Sequence, residues 1–167
     1  MNAEQYRGMT QTVTETRVRS NTVKVMHDVL PLVMYIFYPL QIVCLGINEG
    51  WGSGMFLRFT LIPLGTFLFV TALRAIINAP RPYEVYDYTP VVRKATKGRS
   101  FPSRHTASAF IIAMAFLYVQ ASLGVIMLCV ALGIAIVRVV AGVHFVRDVI
   151  GGAAIAVLIG TFGFFVF

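Results

Sequence analysis

From residue 29 onward the chain is a series of long apolar runs broken by short polar stretches. The runs fall at about 29–48, 55–77, 103–120, 122–140 and 149–167. Each is near the ~20 residues that an α-helix needs to cross a hydrocarbon core. Little more than "QASLG" separates the third run from the fourth, which predicts a tight helical hairpin. The one long connection is 78–102, rich in Pro, Tyr and basic residues and polar enough to sit at the headgroup level. Residues 1–28 are polar, and their weak apolar periodicity fits a disordered tail or a helix on the membrane surface. They do not read as a signal peptide, because no small-residue cleavage site follows the next apolar run. The pattern predicts an all-α protein, a polytopic transmembrane helical bundle of about five spans. It divides into a polar, possibly interfacial segment, 1–28, and a membrane domain, 29–167.

Composition agrees. The 167 residues are 57% hydrophobic and 13% charged, whereas soluble domains carry about a quarter charged residues. So much apolar surface exceeds what a small soluble protein can bury. Fourteen Lys and Arg against seven Asp and Glu give a formal charge of +7. In a membrane protein such an excess fits cytoplasmic loops, anionic lipid contact or an anionic substrate. No separate soluble basic domain exists to carry nucleic acid. Cys44 and Cys129 lie inside apolar runs without metal-binding spacing and read as buried thiols.

Five spans place the termini on opposite sides. One side then carries residues 1–28, the 78–102 loop and the 141–148 turn, with nearly all basic residues. The positive-inside rule makes that side cytoplasmic, in a bacterial cell membrane.

Ionisable residues within spans are costly and mark functional sites. Arg74 and Arg138 stand near the ends of the second and fourth runs. His105 opens the third, while His144 and Asp148 lead into the fifth. Alternate helix ends meet at one face, so all five share a depth. Several guanidinium forks beside a helix N-terminus form a receptacle for a dianionic group. With Ser103 as N-cap, the N–H groups of Arg104, His105 and Thr106 point outward at the positive dipole end. One imidazole can attack phosphorus while a second protonates the departing oxygen. His144 and Asp148 stand four apart, so the carboxylate can orient the ring. Gly142 permits a close approach of backbone to ligand.

Three segments carry this chemistry: "RAIINAPRP" (Arg74 to Pro82), "PSRH" (Pro102 to His105) and "RVVAGVHFVRD" (Arg138 to Asp148). In order and spacing they resemble the three motifs of the type 2 phosphatidic acid phosphatase superfamily, over roughly residues 55–165. The resemblance implies a membrane lipid phosphatase that needs no metal or other cofactor. His144 would form a phosphohistidine, Asp148 would hold its ring, and His105 would protonate the leaving alkoxide. Arg74, Arg81, Arg138 and Ser103, with nearby N–H groups, would bind the phosphoryl oxygens. One Asp and two His without a carboxylate cluster also make a poor Mg²⁺ site.

The chain departs from the family pattern at four points. Arg74 stands where Lys is usual, Val137 replaces a Ser, and Arg104 takes a Gly position. The five apolar runs compare with six spans in many members. Arg104 adds a cation beside the phosphate, to read a second phosphate or to snorkel to the headgroups. Tyr83, Tyr86 and Tyr88 read as an interfacial belt, or less simply as a lipid entrance. Arg93, Lys94, Lys97 and Arg99 read as a lipid-surface patch, and His27 as an interface residue.

The expected partners are a lipid phosphate substrate and membrane lipids, and the expected reaction releases phosphate from a monoester or diphosphate of a phospholipid or prenyl lipid. The competing reading is a catalytically inactive lipid-phosphate-binding protein that kept the receptacle. A transporter fits poorly, because the charges cluster at one face and no span carries a paired Gly/Pro break.

Overall fold

The computed structural model describes residues 1–86, 88–92 and 97–166. Among them the chain forms seven α-helices and no strand. Helix α1 spans Ala3–Thr14, α2 Arg17–Asn48, α3 Gly54–Ile77 and the short α4 Pro82–Val85. Helices α5, α6 and α7 span Arg104–Val119, Ala121–Val140 and Val146–Gly160. The last widens into a π-helical turn over Thr161–Val166.

The five apolar runs become α2, α3, α5, α6 and α7, passing back and forth through one bundle. Four of them are long and apolar enough to cross a membrane, and the chain is an integral membrane protein. The exception is α5. Its sixteen residues reach only about 24 Å at 1.5 Å per residue, short of a ~30 Å hydrocarbon core. Burial explains how so short a helix is accommodated. Ten of its residues are buried, because α6, α7 and α3 pack around it. It therefore meets protein where the others meet lipid, and its N-terminus opens below the surface.

The outer helices show the complementary pattern. Leu32, Ile36, Leu40 and Ile47 of α2 and Leu57, Leu61, Leu64 and Leu68 of α3 are exposed. In lipid these side chains are solvated as well as in a core. Proline is tolerated here when the freed carbonyl finds a donor. Pro63 cannot bond the Phe59 carbonyl one turn back, and the Tyr38 hydroxyl of α2 donates to that oxygen at 3.0 Å.

Two connections differ from the sequence reading. The α5–α6 hairpin turns on Gln120 alone, in an extended conformation, since "ASLG" already belongs to α6. The polar N-terminal segment is helical and docked. An Asn2–Gln5 capping box starts α1, which packs on α2 and α6. Helix α2 then begins at Arg17 and runs unbroken through residues 28 and 29.

Candidate active site

The ends of α3, α5, α6 and α7 converge with the 78–102 connection around a cavity of about 610 Å³. Arg74, Arg81, Arg104, His105, Arg138 and His144 line it together, with Lys97 and Arg99 at the same wall. No carboxylate is among the lining residues. Six of the eight site residues expected from the sequence thus face one space. The other two, Ser103 and Asp148, lie behind it, fully buried.

Arg74, Arg81 and Arg138 are anchored by bonds to backbone carbonyls. Arg74 donates to the Pro102 carbonyl at 2.9 Å and to the Arg99 carbonyl. Arg81 donates to the carbonyls of Gly98 and Val143, each at 3.2 Å. Its own N–H reaches Glu84 Oε2 at 2.8 Å, and Glu84 also accepts from Gly98 N–H. The loop is thereby stitched to the first motif. Arg138 donates to His27 Nε2 and to the His27 carbonyl. Accepting at Nε2 leaves the His27 proton on Nδ1, which donates to Asp28 at 2.8 Å. His27 is therefore buried and fixes Arg138, which corrects its reading as an interface residue.

His144 follows the tight turn after α6. Its Nδ1 lies 3.4 Å from Asp148 Oδ2 and 3.4 Å from Ser100 Oγ. The Ser100 hydroxyl donates to the same carboxylate oxygen at 2.5 Å, and Phe145 N–H donates to it at 2.9 Å. Asp148 thus gathers three donors, which selects the Nδ1–H tautomer and leaves Nε2 for the cavity. Burial, reinforced by the Arg81 and Arg74 charges, pushes the His144 pKa down to about 4 against the opposing pull of Asp148. The ring is neutral, with a free lone pair, at ordinary pH.

Ser100 escaped the sequence reading although it stands only two residues before the second motif. A lone Ser before Phe-Pro carries no spacing signal, and only the fold brings it to Asp148. Ser103 occupies the N-cap of α5 without capping through its side chain. Its Oγ accepts from the Thr106 hydroxyl at 3.0 Å, and its N–H donates to the Asp148 carbonyl at 2.8 Å. Helix α7 passes so close that a Cβ on Gly152 would meet the Ser103 carbonyl at 2.6 Å. The Ser103 hydroxyl thus meets Thr106 behind the cavity wall.

Gly142 has a φ of +74°, which requires glycine, and Tyr88 and Thr10 fill the space a Cβ would take. The three tyrosines of the connection are half-buried against protein. Tyr86 and Tyr88 pack about Tyr6, with Tyr86 also against Phe145, and Tyr83 packs near Val91, Ala141 and Val143. Of the expected surface patch, Lys97 and Arg99 line the cavity, while Arg93 and Lys94 lie outside the described residues.

Arg104 turns inward, its guanidinium 5.3 Å from the centre of the Phe67 ring. It lines both the cationic cavity and an adjoining one of about 280 Å³ whose walls include Met34, Tyr35, Phe67 and Ile112. Tyr35, Phe67 and Ile112 continue into an apolar groove of about 360 Å³ between α2, α3 and α5.

Known proteins share this architecture. The crystal structure of Aquifex aeolicus LpxE is 26% identical in sequence, with a TM-score of 0.73 over 97% of this chain and 93% of that one. The crystal structure of a transmembrane PAP2 type phosphatidylglycerolphosphate phosphatase from Bacillus subtilis has the same fold. Its TM-score is 0.68 at 22% identity, over 98% of this chain and 85% of that one. No curated protein matches the chain. The PAP2 superfamily model matches residues 55–167, a stretch that holds all three motifs and every wall of the cationic cavity; the chain belongs to the PAP2 superfamily of phosphatases.

Proposed function

We propose that the chain hydrolyses a phosphate monoester or diphosphate of a phospholipid or prenyl lipid through a phosphohistidine at His144. The observation that carries this reading is a row of adjoining cavities that share walls. A cationic cavity holding both histidines shares Arg104 with a smaller one, which in turn shares Tyr35, Phe67 and Ile112 with an apolar groove between α2, α3 and α5. The phosphate fits the cationic cavity and the lipid tail the groove.

In the proposed reaction Nε2 of His144 attacks phosphorus, the bond from phosphorus to the lipid oxygen breaks, and His105 delivers its proton to that oxygen. Water then attacks the phosphohistidine, giving its proton to His105 and releasing phosphate. Asp148 stabilises the cationic ring between the two steps. Arg74, Arg81 and Arg138 hold the phosphoryl oxygens, whose charge grows in the transition state. Arg104, at the junction of the two cavities, meets the part of the substrate next beyond the scissile phosphate. Among the described residues the wall offers Mg²⁺ no carboxylate, which supports a reaction carried by the side chains themselves. The basic N-terminal segment supports a site on the cytoplasmic side of the membrane.

Purified protein in detergent with EDTA is expected to release phosphate from one or more members of a lipid phosphate and diphosphate panel. Absence of release across the panel would instead favour a lipid-phosphate-binding protein without activity. His105→Ala should cost about 100-fold on alkyl phosphates and little on an activated aryl phosphate, whose leaving group needs no proton. An equal loss on both would remove His105 from the acid role.

A further inference from the structure

Helix α1 lies outside the residues matched by the family model, yet it touches the turn that carries His144. The first N–H groups of a helix have no intrahelical acceptor. In α7, Phe145 N–H is taken by Asp148. Val146 N–H is taken by the hydroxyl of Tyr6, at 3.1 Å and 140 residues away in sequence.

Around that bond the contacts are extensive. The Tyr6 ring meets Phe145 edge-on at 5.7 Å and lies within 6.2 Å of Tyr86 and Tyr88. Tyr88 donates its hydroxyl to the Gly142 carbonyl at 2.8 Å. Arg7 donates to the Tyr86 carbonyl at 3.0 Å, and Thr10 closes on Gly142. The turn is gripped at Gly142 and again at Val146, with His144 between. Tyr6 is only 1% exposed, and burial raises its pKa, so the phenol keeps its proton.

We propose that α1 is a working part of the active site, with Tyr6 as a positioning residue that sets the orientation of the His144–Asp148 pair. This rests on the assignment of His144 as nucleophile. The two contacts to His144 Nδ1 are each 3.4 Å long, so the ring depends on its backbone for aim. Misplacing a reacting group by about 1 Å can cost about 100-fold in rate.

The test uses the full chain in detergent and the variant Tyr6→Phe, which keeps the ring and deletes the acceptor. On an aryl phosphate kcat should fall about tenfold with KM within about twofold. In hydrogen exchange, the amides of residues 142–149 should exchange faster while those of α5 stay as in wild type. Gln11→Ala, on the exposed face of α1, should change neither. Wild-type kcat in Tyr6→Phe, or a loss of kcat without local loosening of 142–149, overturns the proposal. If wild type releases no phosphate, the phosphatase reading fails separately. Exchange then decides the clamp: unchanged rates at 142–149 sink it, and faster rates there support it. Should Tyr6→Phe not fold, Arg7→Ala replaces it, with the same split of kcat from KM expected at smaller size.

Discussion

His144→Ala is expected to lower kcat by about 10⁴-fold or more on every substrate, activated or not. Its imidazole faces the cavity with a tautomer oriented by Asp148, leaving Nε2 towards the space where phosphate would sit. The variant should still bind lipid phosphate, because the guanidinium anchors do not involve the ring. Radiolabelled substrate, quenched in base, should leave acid-labile label on wild-type protein and none on the variant. The same residue sets an acid limit. With its pKa near 4, His144 stays neutral as pH falls past the usual imidazole range and becomes protonated only near 4. Attack is therefore retained at pH 6 and lost as pH drops through about 4 in kcat/KM. Retention of more than a hundredth of wild-type kcat by His144→Ala would move the nucleophile elsewhere.

Asp148→Asn is expected to cost about 10³-fold to 10⁴-fold in kcat, by analogy with neutralising the carboxylate of a catalytic triad. One carboxylate oxygen accepts from Ser100, from Phe145 N–H and from His144. An amide placed there must either turn its NH₂ towards these donors or surrender some of them. It also removes the charge that offsets a cationic phosphohistidine. Single-turnover kinetics should show the loss in phosphoenzyme formation. Ser100→Ala should cost only about tenfold, since it removes one of three donors and no charge. Asp148→Asn with kcat within tenfold of wild type would reduce the carboxylate to a helix cap.

Much of this was legible in the sequence, for definable reasons. Unbroken apolar runs near twenty residues placed four membrane helices within a few residues at most ends. The fixed spacing of Arg74–Arg81 and of Arg138–His144–Asp148 marked the site, because charge is so costly in a span. What stayed hidden depends on contacts remote in sequence. Ser100 joins Asp148 across 48 positions, His27 meets Arg138 across 111, and Tyr6 meets Val146 across 140. Helix α5 ran short of a full span because protein, not lipid, surrounds it, which periodicity in an all-apolar run cannot show. Gly142 was read for its open face, and the sequence could not say that Tyr88 would fill it.

The anchoring of Arg74, Arg81 and Arg138 on the chain's own carbonyls and on His27 has a consequence for selectivity. A field fixed in advance needs no rearrangement when an anion arrives, so it attracts free inorganic phosphate as readily as an esterified one. The receptacle therefore cannot by itself tell reactant from product. In the proposed reaction discrimination would come from the hydrocarbon side, where a tail in the groove between α2, α3 and α5 adds affinity that released phosphate lacks. For the proposed lipid substrate, the bilayer would present tails at a local density that phosphate released into water does not share.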